Sequence, residues 1–114
     1  MMSILSLNTD NTQSVSVMKA KGRVDSETAP ELDVAISKLL ADGRSKIILD
    51  LQGVDYLSSA GLRVMVKALK NARDSGGDVR LVSVSEPIEV ILRTVGMMQM
   101  FKMFATSDEA AAGF

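Results

Sequence analysis

A chain of 114 residues, 46% hydrophobic and 24% charged, has the size and composition of one globular domain, residues 1–114, with a single core. Its 13 basic and 14 acidic residues leave a formal charge of −1 and form no basic run able to neutralise several phosphates, so nucleic acid is not an expected partner. The sequence contains neither Cys nor His, which excludes disulfides, thiolate or imidazole metal sites, and the Ser-His and Cys-His pairs of common nucleophilic enzymes.

The opening segment, residues 1–12, has neither a charged leader nor a long apolar stretch. No run elsewhere approaches the roughly 18 apolar residues that cross a bilayer, so a soluble cytoplasmic protein without a membrane partner is expected. "SILSL" (Ser3 to Leu7) and "SVSVMKAKG" (Ser14 to Gly22) are short alternating segments, and the polar "NTDNTQ" between them reads as the turn of an antiparallel hairpin. After Asp25, the residues Leu32, Ala35, Ile36, Leu39 and Leu40 fall on one stripe of a helix. Thr28 and Glu31 suit a capping box at its start, Pro30 its first turn, and Gly43 its end.

"KIILDL" is a nearly continuous apolar run, as expected of a central strand covered on both faces. The next helix carries Leu62, Met65, Val66, Leu69 and Ala72 on one side, and Arg63, Lys67, Lys70 and Arg73 largely on the other. "VRLVSV" supplies a further strand, Ser85 caps a helix with the stripe Ile88, Ile91, Leu92 and Val95, and Gly96 stops it. The tail is rich in Met and Phe, with Ser107 as cap of a short last helix. Met97, Met98, Met100 and Met103 serve either as core filler or as an adaptable contact surface, according to their exposure. The order ββαβαβαα implies an α/β fold: a mixed sheet of about four or five strands with helices packed against it.

The segment "YLSSAGL" concentrates the chemistry. Ser58 falls at the N-cap of the helix that follows, where its oxygen can accept from an unpaired backbone N–H. Ser59 is then in the first turn with its hydroxyl spare. Gly61 inside that turn costs up to about 1 kcal/mol relative to Ala, which signals close approach by a partner or by a neighbouring strand. A helix N-terminus also suits a phosphate, through its free N–H groups and dipole.

"GRVDSETAPEL", "IILDLQGVDYLSSAGLRVMV" and "GGDVRLVSVSEPIEVILRTVG" resemble, in order and spacing, the STAS-domain family of bacterial anti-sigma factor antagonists, over nearly the whole chain. The resemblance implies the STAS fold and a partner switch. The unmodified antagonist binds an anti-sigma factor that is also a serine kinase of the histidine-kinase-like ATPase fold, and so frees the sigma factor. The kinase phosphorylates the antagonist, which releases it, and a PP2C-type phosphatase restores it. The family's glycine-leucine falls on Gly61-Leu62, which implies Ser59 as phosphoacceptor, with Ser58 as a minor alternative. The implied kinase-facing surface comprises Asp25, Ser58, Ser59, Ala60, Gly61 and Arg63. Ser58 stands where many relatives have aspartate and Ala60 where they have a second hydroxyl, so a negative charge beside the acceptor is lost.

Each of these residues also has a plain structural use. Asp25 can cap the helix after it, Tyr56 and Leu57 can anchor a loop before the serines, and the basic helix face can be merely solvated. A STAS subunit of a scaffold or lipid-transport complex, with no phosphate cycle, is the alternative function. A nucleophile elbow would need glycine two residues before and after its serine, but Leu57 precedes Ser58-Ser59 and there is no His to act as base, and no metal or cofactor is expected. A receiver-like domain with Asp50 or Asp55 as acceptor lacks an evident paired-acid site.

Overall fold

The computed structural model describes residues 5–12 and 14–114. Strands β1 (Leu5–Asn11) and β2 (Val15–Val24) are followed by helix α1 (Ala29–Ala41), strand β3 (Lys46–Leu57) and helix α2 (Ser59–Asp74). Strand β4 (Asp78–Val82), helix α3 (Glu86–Thr94), strand β5 (Met103–Phe104) and helix α4 (Ser107–Ala112) complete the chain. The sheet order is β1-β2-β3-β4-β5, antiparallel in the first pair and parallel in the others. The expected order thus gains one element, the two-residue β5, whose length is too short to carry a period in sequence.

Alternation along the strands sorts residues onto two faces. Met18, Ala20, Ile47, Leu49, Leu51 and Leu81 share one core with Leu32 and Ile36 of α1, Leu62, Met65 and Leu69 of α2, and Ile88 and Leu92 of α3. On the reverse face Ile48 and Val82 pack against Ala110 of α4. Burial on both faces explains why "KIILDL" reads as an unbroken apolar run. Helix α1 ends as its glycine requires: Gly43 has φ +80, and the Arg44 N–H returns to the Leu39 carbonyl at 2.9 Å.

Several boundaries differ from the sequence reading. The first strand runs on through the polar residues Asn8 to Asn11, because each lies opposite a β2 residue from Lys19 to Ser16. Strand β3 continues past "KIILDL" to Leu57, so Tyr56 and Leu57 end a strand rather than occupy a loop. The strand from "VRLVSV" stops at Val82, where Ser83 turns to φ 55. Thr28 occupies the N-cap of α1 without a capping hydrogen bond, so the Thr28–Glu31 box does not form; its hydroxyl donates to the Arg23 carbonyl at 2.8 Å. Ser85 is an N-cap by position, but its hydroxyl is directed at the Val54 carbonyl. Thr106, not Ser107, caps α4, accepting from the Glu109 N–H. Val95 is exposed instead of lying on the buried stripe of α3. The methionines divide: Met97, Met98 and Met103 pack partly against the core, and Met100 is exposed.

Arg80, read in sequence only as part of a strand, fastens α4 to the sheet. It is buried, donates to the carbonyls of Ala110 (2.7 Å) and Gly113 (2.8 Å), and lies 4.0 Å from the Phe114 ring centroid and 3.4 Å from Asp78. A cation at a helix C-terminus meets both the free carbonyls and the dipole. Replacing Arg80 with Ala should lower unfolding free energy by about 2–4 kcal/mol, since two carbonyls and part of the Asp78 charge lose their partner. Arg93→Ala, which breaks only the exposed pair with Glu89, should change it by about 0.5 kcal/mol or less; urea denaturation of both variants checks the contrast.

Candidate functional site

The carboxyl ends of β2 and β3 form the site. Their parallel register pairs Val24 with Leu57, and the Ser58 N–H extends the ladder by donating to the Val24 carbonyl at 2.8 Å. The next residues along each chain are therefore neighbours: Asp25 begins the turn into α1, and Ser58 and Ser59 begin α2. Val24 and Leu57 are both buried, so the two ends are fixed from beneath by apolar packing.

Ser58 is extended (φ −83, ψ 171), and its Oγ accepts from the Gly61 N–H at 3.2 Å, an N-cap contact worth about 1 kcal/mol. Ser59 follows as the first residue of α2 and is exposed; among the described residues its hydroxyl has no hydrogen-bond partner. No acidic residue occupies the first turn of this helix, so its positive dipole end is uncompensated.

Gly61 is buried beneath this turn. A Cβ at Gly61 would lie 2.6 Å from Val24 Cγ1 and 2.8 Å from Leu57 Cδ1. Of the two uses the sequence left open, the close approach is an internal one: the glycine seats α2 on the strand ends. It does not clear space around the Ser59 hydroxyl, which points to solvent on its own account.

Asp25 acts as the cap of its turn. Its Oδ1 accepts from the N–H of Thr28 (3.0 Å) and of Glu27 (2.9 Å), and at 3.2 Å shares the Thr28 hydroxyl proton with the Arg23 carbonyl. The Thr28 N–H is the chief cause that holds the Asp25 carboxyl below its ordinary value of 3.8. The opposing effect of burial ranks next, and Glu27, the Thr28 hydroxyl and the Arg23 charge assist Thr28. Tyr56, 39% exposed, lies under the Arg23 guanidinium at 4.5 Å, beside the same turn.

A shallow groove between α1 and α2 opens next to Ser59. It is lined by Ala29, Pro30, Ala60 and Val64, with Ser26, Asp33 and Arg63 at its polar margins. Lys67 closes one side by pairing with Asp33 at 3.2 Å. Of the residues singled out in sequence, Asp25, Ser58 and Ser59 meet at the strand ends, Ala60 and Arg63 line the groove, and Gly61 lies underneath. Pro30, Asp33 and Val64 were missed; the signal available was the i,i+4 spacing of Ala60 with Val64 on the helix side facing α1. Among the described residues no group of three or more acidic side chains could hold a metal ion, and no helix is long and apolar enough to cross a membrane.

Residues 6–110 match the STAS domain family, and the chain belongs to it. BtrV of Bordetella bronchiseptica is 27% identical over 110 residues, covering 96% of this chain and 95% of BtrV. The anti-sigma-F factor antagonist RsfB of Mycobacterium tuberculosis is 30% identical over 102 residues, 87% of this chain and 80% of RsfB. The crystal structure of an anti-sigma factor antagonist from Mycobacterium paratuberculosis superposes with a TM-score of 0.84 at 25% identity, covering 95% of this chain and 92% of that one.

Asp25 and Gly61 give two checks on this geometry. Because the folded pKa of Asp25 lies below the unfolded 3.8, its contribution to stability is complete above 3.8 and is lost as pH falls through the folded value. The stability difference between the natural chain and Asp25→Ala, measured by urea denaturation, should therefore be constant near neutrality and shrink on acidification below pH 3.8. Gly61→Ala should destabilise by about 1–3 kcal/mol through overpacking, and adding Val24→Ala should recover part of that loss relative to Val24→Ala alone.

Proposed function

We propose that this chain is an anti-sigma factor antagonist that works by partner switching, with Ser59 as the residue whose modification sets the switch. The observation that carries the reading is the division of labour in the serine pair: Ser58 spends its oxygen on the Gly61 N–H, while Ser59 is exposed with its hydroxyl free. Membership of the STAS family and the likeness to RsfB, named an anti-sigma-F factor antagonist, support it.

In the unmodified state the surface formed by Asp25, Ser58, Ser59, Ala60 and Arg63, seated on Gly61, binds a kinase-type anti-sigma factor of the histidine-kinase-like ATPase fold. The partner supplies ATP. The Ser59 Oγ attacks the γ-phosphorus; the Oγ–P bond forms as the bond to the bridging oxygen breaks, ADP leaves, and the hydroxyl proton passes to a base on the kinase. The product carries about −1.5 to −2 extra charge at one exposed point, enough to repel a complementary surface without refolding the domain. A PP2C-type phosphatase hydrolyses the phosphoserine with water and restores the hydroxyl. The chain itself is a binding module and substrate rather than an enzyme, and ATP-dependent switching places its work in the cytoplasm.

Ser59→Ala should bind a cognate kinase-type anti-sigma factor with affinity close to that of the natural chain. Ser59→Asp should bind at least about tenfold more weakly, a difference of about 1.4 kcal/mol. Titration calorimetry checks it, and equal affinities for the two variants would contradict the switch and favour a constitutive scaffold subunit.

A further inference from the structure

Arg63 is alone among the arginines of the described residues in holding no partner. Arg23 stacks on a ring, Arg44 donates to a hydroxyl and carbonyls, Arg73 and Arg93 pair with carboxylates, and Arg80 is buried against carbonyls and Asp78. Two carboxylates of the site are occupied elsewhere. Asp33, across the groove, is held by Lys67, and Asp25 is held by the N–H groups and hydroxyl of its own turn. Arg63 stands four residues after Ser59 on the same exposed side of α2. In that i,i+4 arrangement the Cβ atoms lie about 5–6 Å apart, and an acid placed N-terminal to a base is the favoured orientation.

We propose that Arg63 is the internal receiver of a phosphate on Ser59: its guanidinium folds back one turn to form a bidentate pair with the phosphate, and in doing so leaves the groove between α1 and α2. The inference rests on the reading of Ser59 as phosphoacceptor and adds a second consequence to it. Phosphorylation then changes the partner surface twice, by adding a dianion at Ser59 and by withdrawing the free guanidinium from the margin of the apolar groove beside it. An arginine fork matches two phosphate oxygens where a lysine ammonium offers one point charge. The uncompensated dipole of α2 acts in the same sense, and the two together hold the modified turn in one conformation.

The test uses the full chain with phosphoserine installed at position 59 by genetic encoding, so that no kinase is needed, and follows its ³¹P resonance against pH. With Arg63 in place, the second ionisation of the phosphate should fall below its usual value near 6, and Arg63→Gln should raise it by about half a unit or more. Arg63→Lys should lie between them. Asp25 in the adjacent turn and Asp33 across the groove repel the phosphate in all three proteins, so the differences isolate Arg63. Lys70→Gln, two turns beyond Arg63 on α2 and paired with no carboxylate, should leave the curve where it is. Coincident curves for the natural chain and Arg63→Gln overturn the proposal, as does an equal shift from Lys70→Gln. Neither result bears on whether a kinase modifies Ser59, and failure of kinases to modify Ser59 would leave these curves unchanged.

Discussion

The parallel pairing of β2 with β3 out to Val24 and Leu57, extended by the Ser58 N–H to the Val24 carbonyl, is the contact on which the site depends. Beyond Asp50, β3 has no β4 partner, because β4 ends at Val82 opposite it. The last seven residues of the strand therefore have β2 as their one strand neighbour among the described residues, and Val54, Leu57 and Val24 bury their side chains to keep them there. Gly61 completes the arrangement by letting α2 start directly over Val24 and Leu57. Shift that register by one residue and Leu57 would face solvent while Ser58 lost its cap geometry.

From this constraint the chemistry follows with the backbone held in place. Two adjacent hydroxyls at a helix start are not equivalent: the first belongs to the backbone, the second to solvent. Beside them Asp25 keeps its own turn closed with three accepted hydrogen bonds, and the groove between α1 and α2 offers an apolar floor with charged margins. On a base so rigid, a charge placed on the exposed Ser59 hydroxyl would act outside the packed turn and leave the fold in place. The reverse face of the sheet is built on a different logic, in which Arg80 trades its charge for the carbonyls of α4 and takes no part in the site.

The parts legible in sequence were those with a strong period. The stripes of α1, α2 and α3 and the apolar run at the centre of β3 were readable because one face of each helix, or both faces of the strand, must be buried. The six residues that carry β3 from Gln52 to Leu57 were not, since Gln52, Gly53 and Asp55 interrupt the apolar run in a segment with a strand on one side only. The polar half of β1 was hidden for a related reason: Asn8 to Asn11 gain their strand conformation from cross-strand pairing, not from propensity. Thr28 sits where a cap belongs, yet its hydroxyl had a nearer carbonyl at Arg23, a choice that tertiary geometry decides. In the site, helix chemistry assigned Ser58 to the cap and left Ser59 with a spare hydroxyl, whereas the role of phosphoacceptor came from the STAS resemblance. Arg23 over Tyr56 and the lining residues Pro30, Asp33 and Val64 needed the fold.

The central claim is that Ser58 serves the helix and Ser59 serves the partner. Incubating the chain with ATP and a kinase-type anti-sigma factor, then mapping the modified residue by mass spectrometry, tests it most directly. A single phosphate on Ser59, with Ser58 unmodified, is the predicted result; phosphate on Ser58, or on any residue away from this turn, would contradict it.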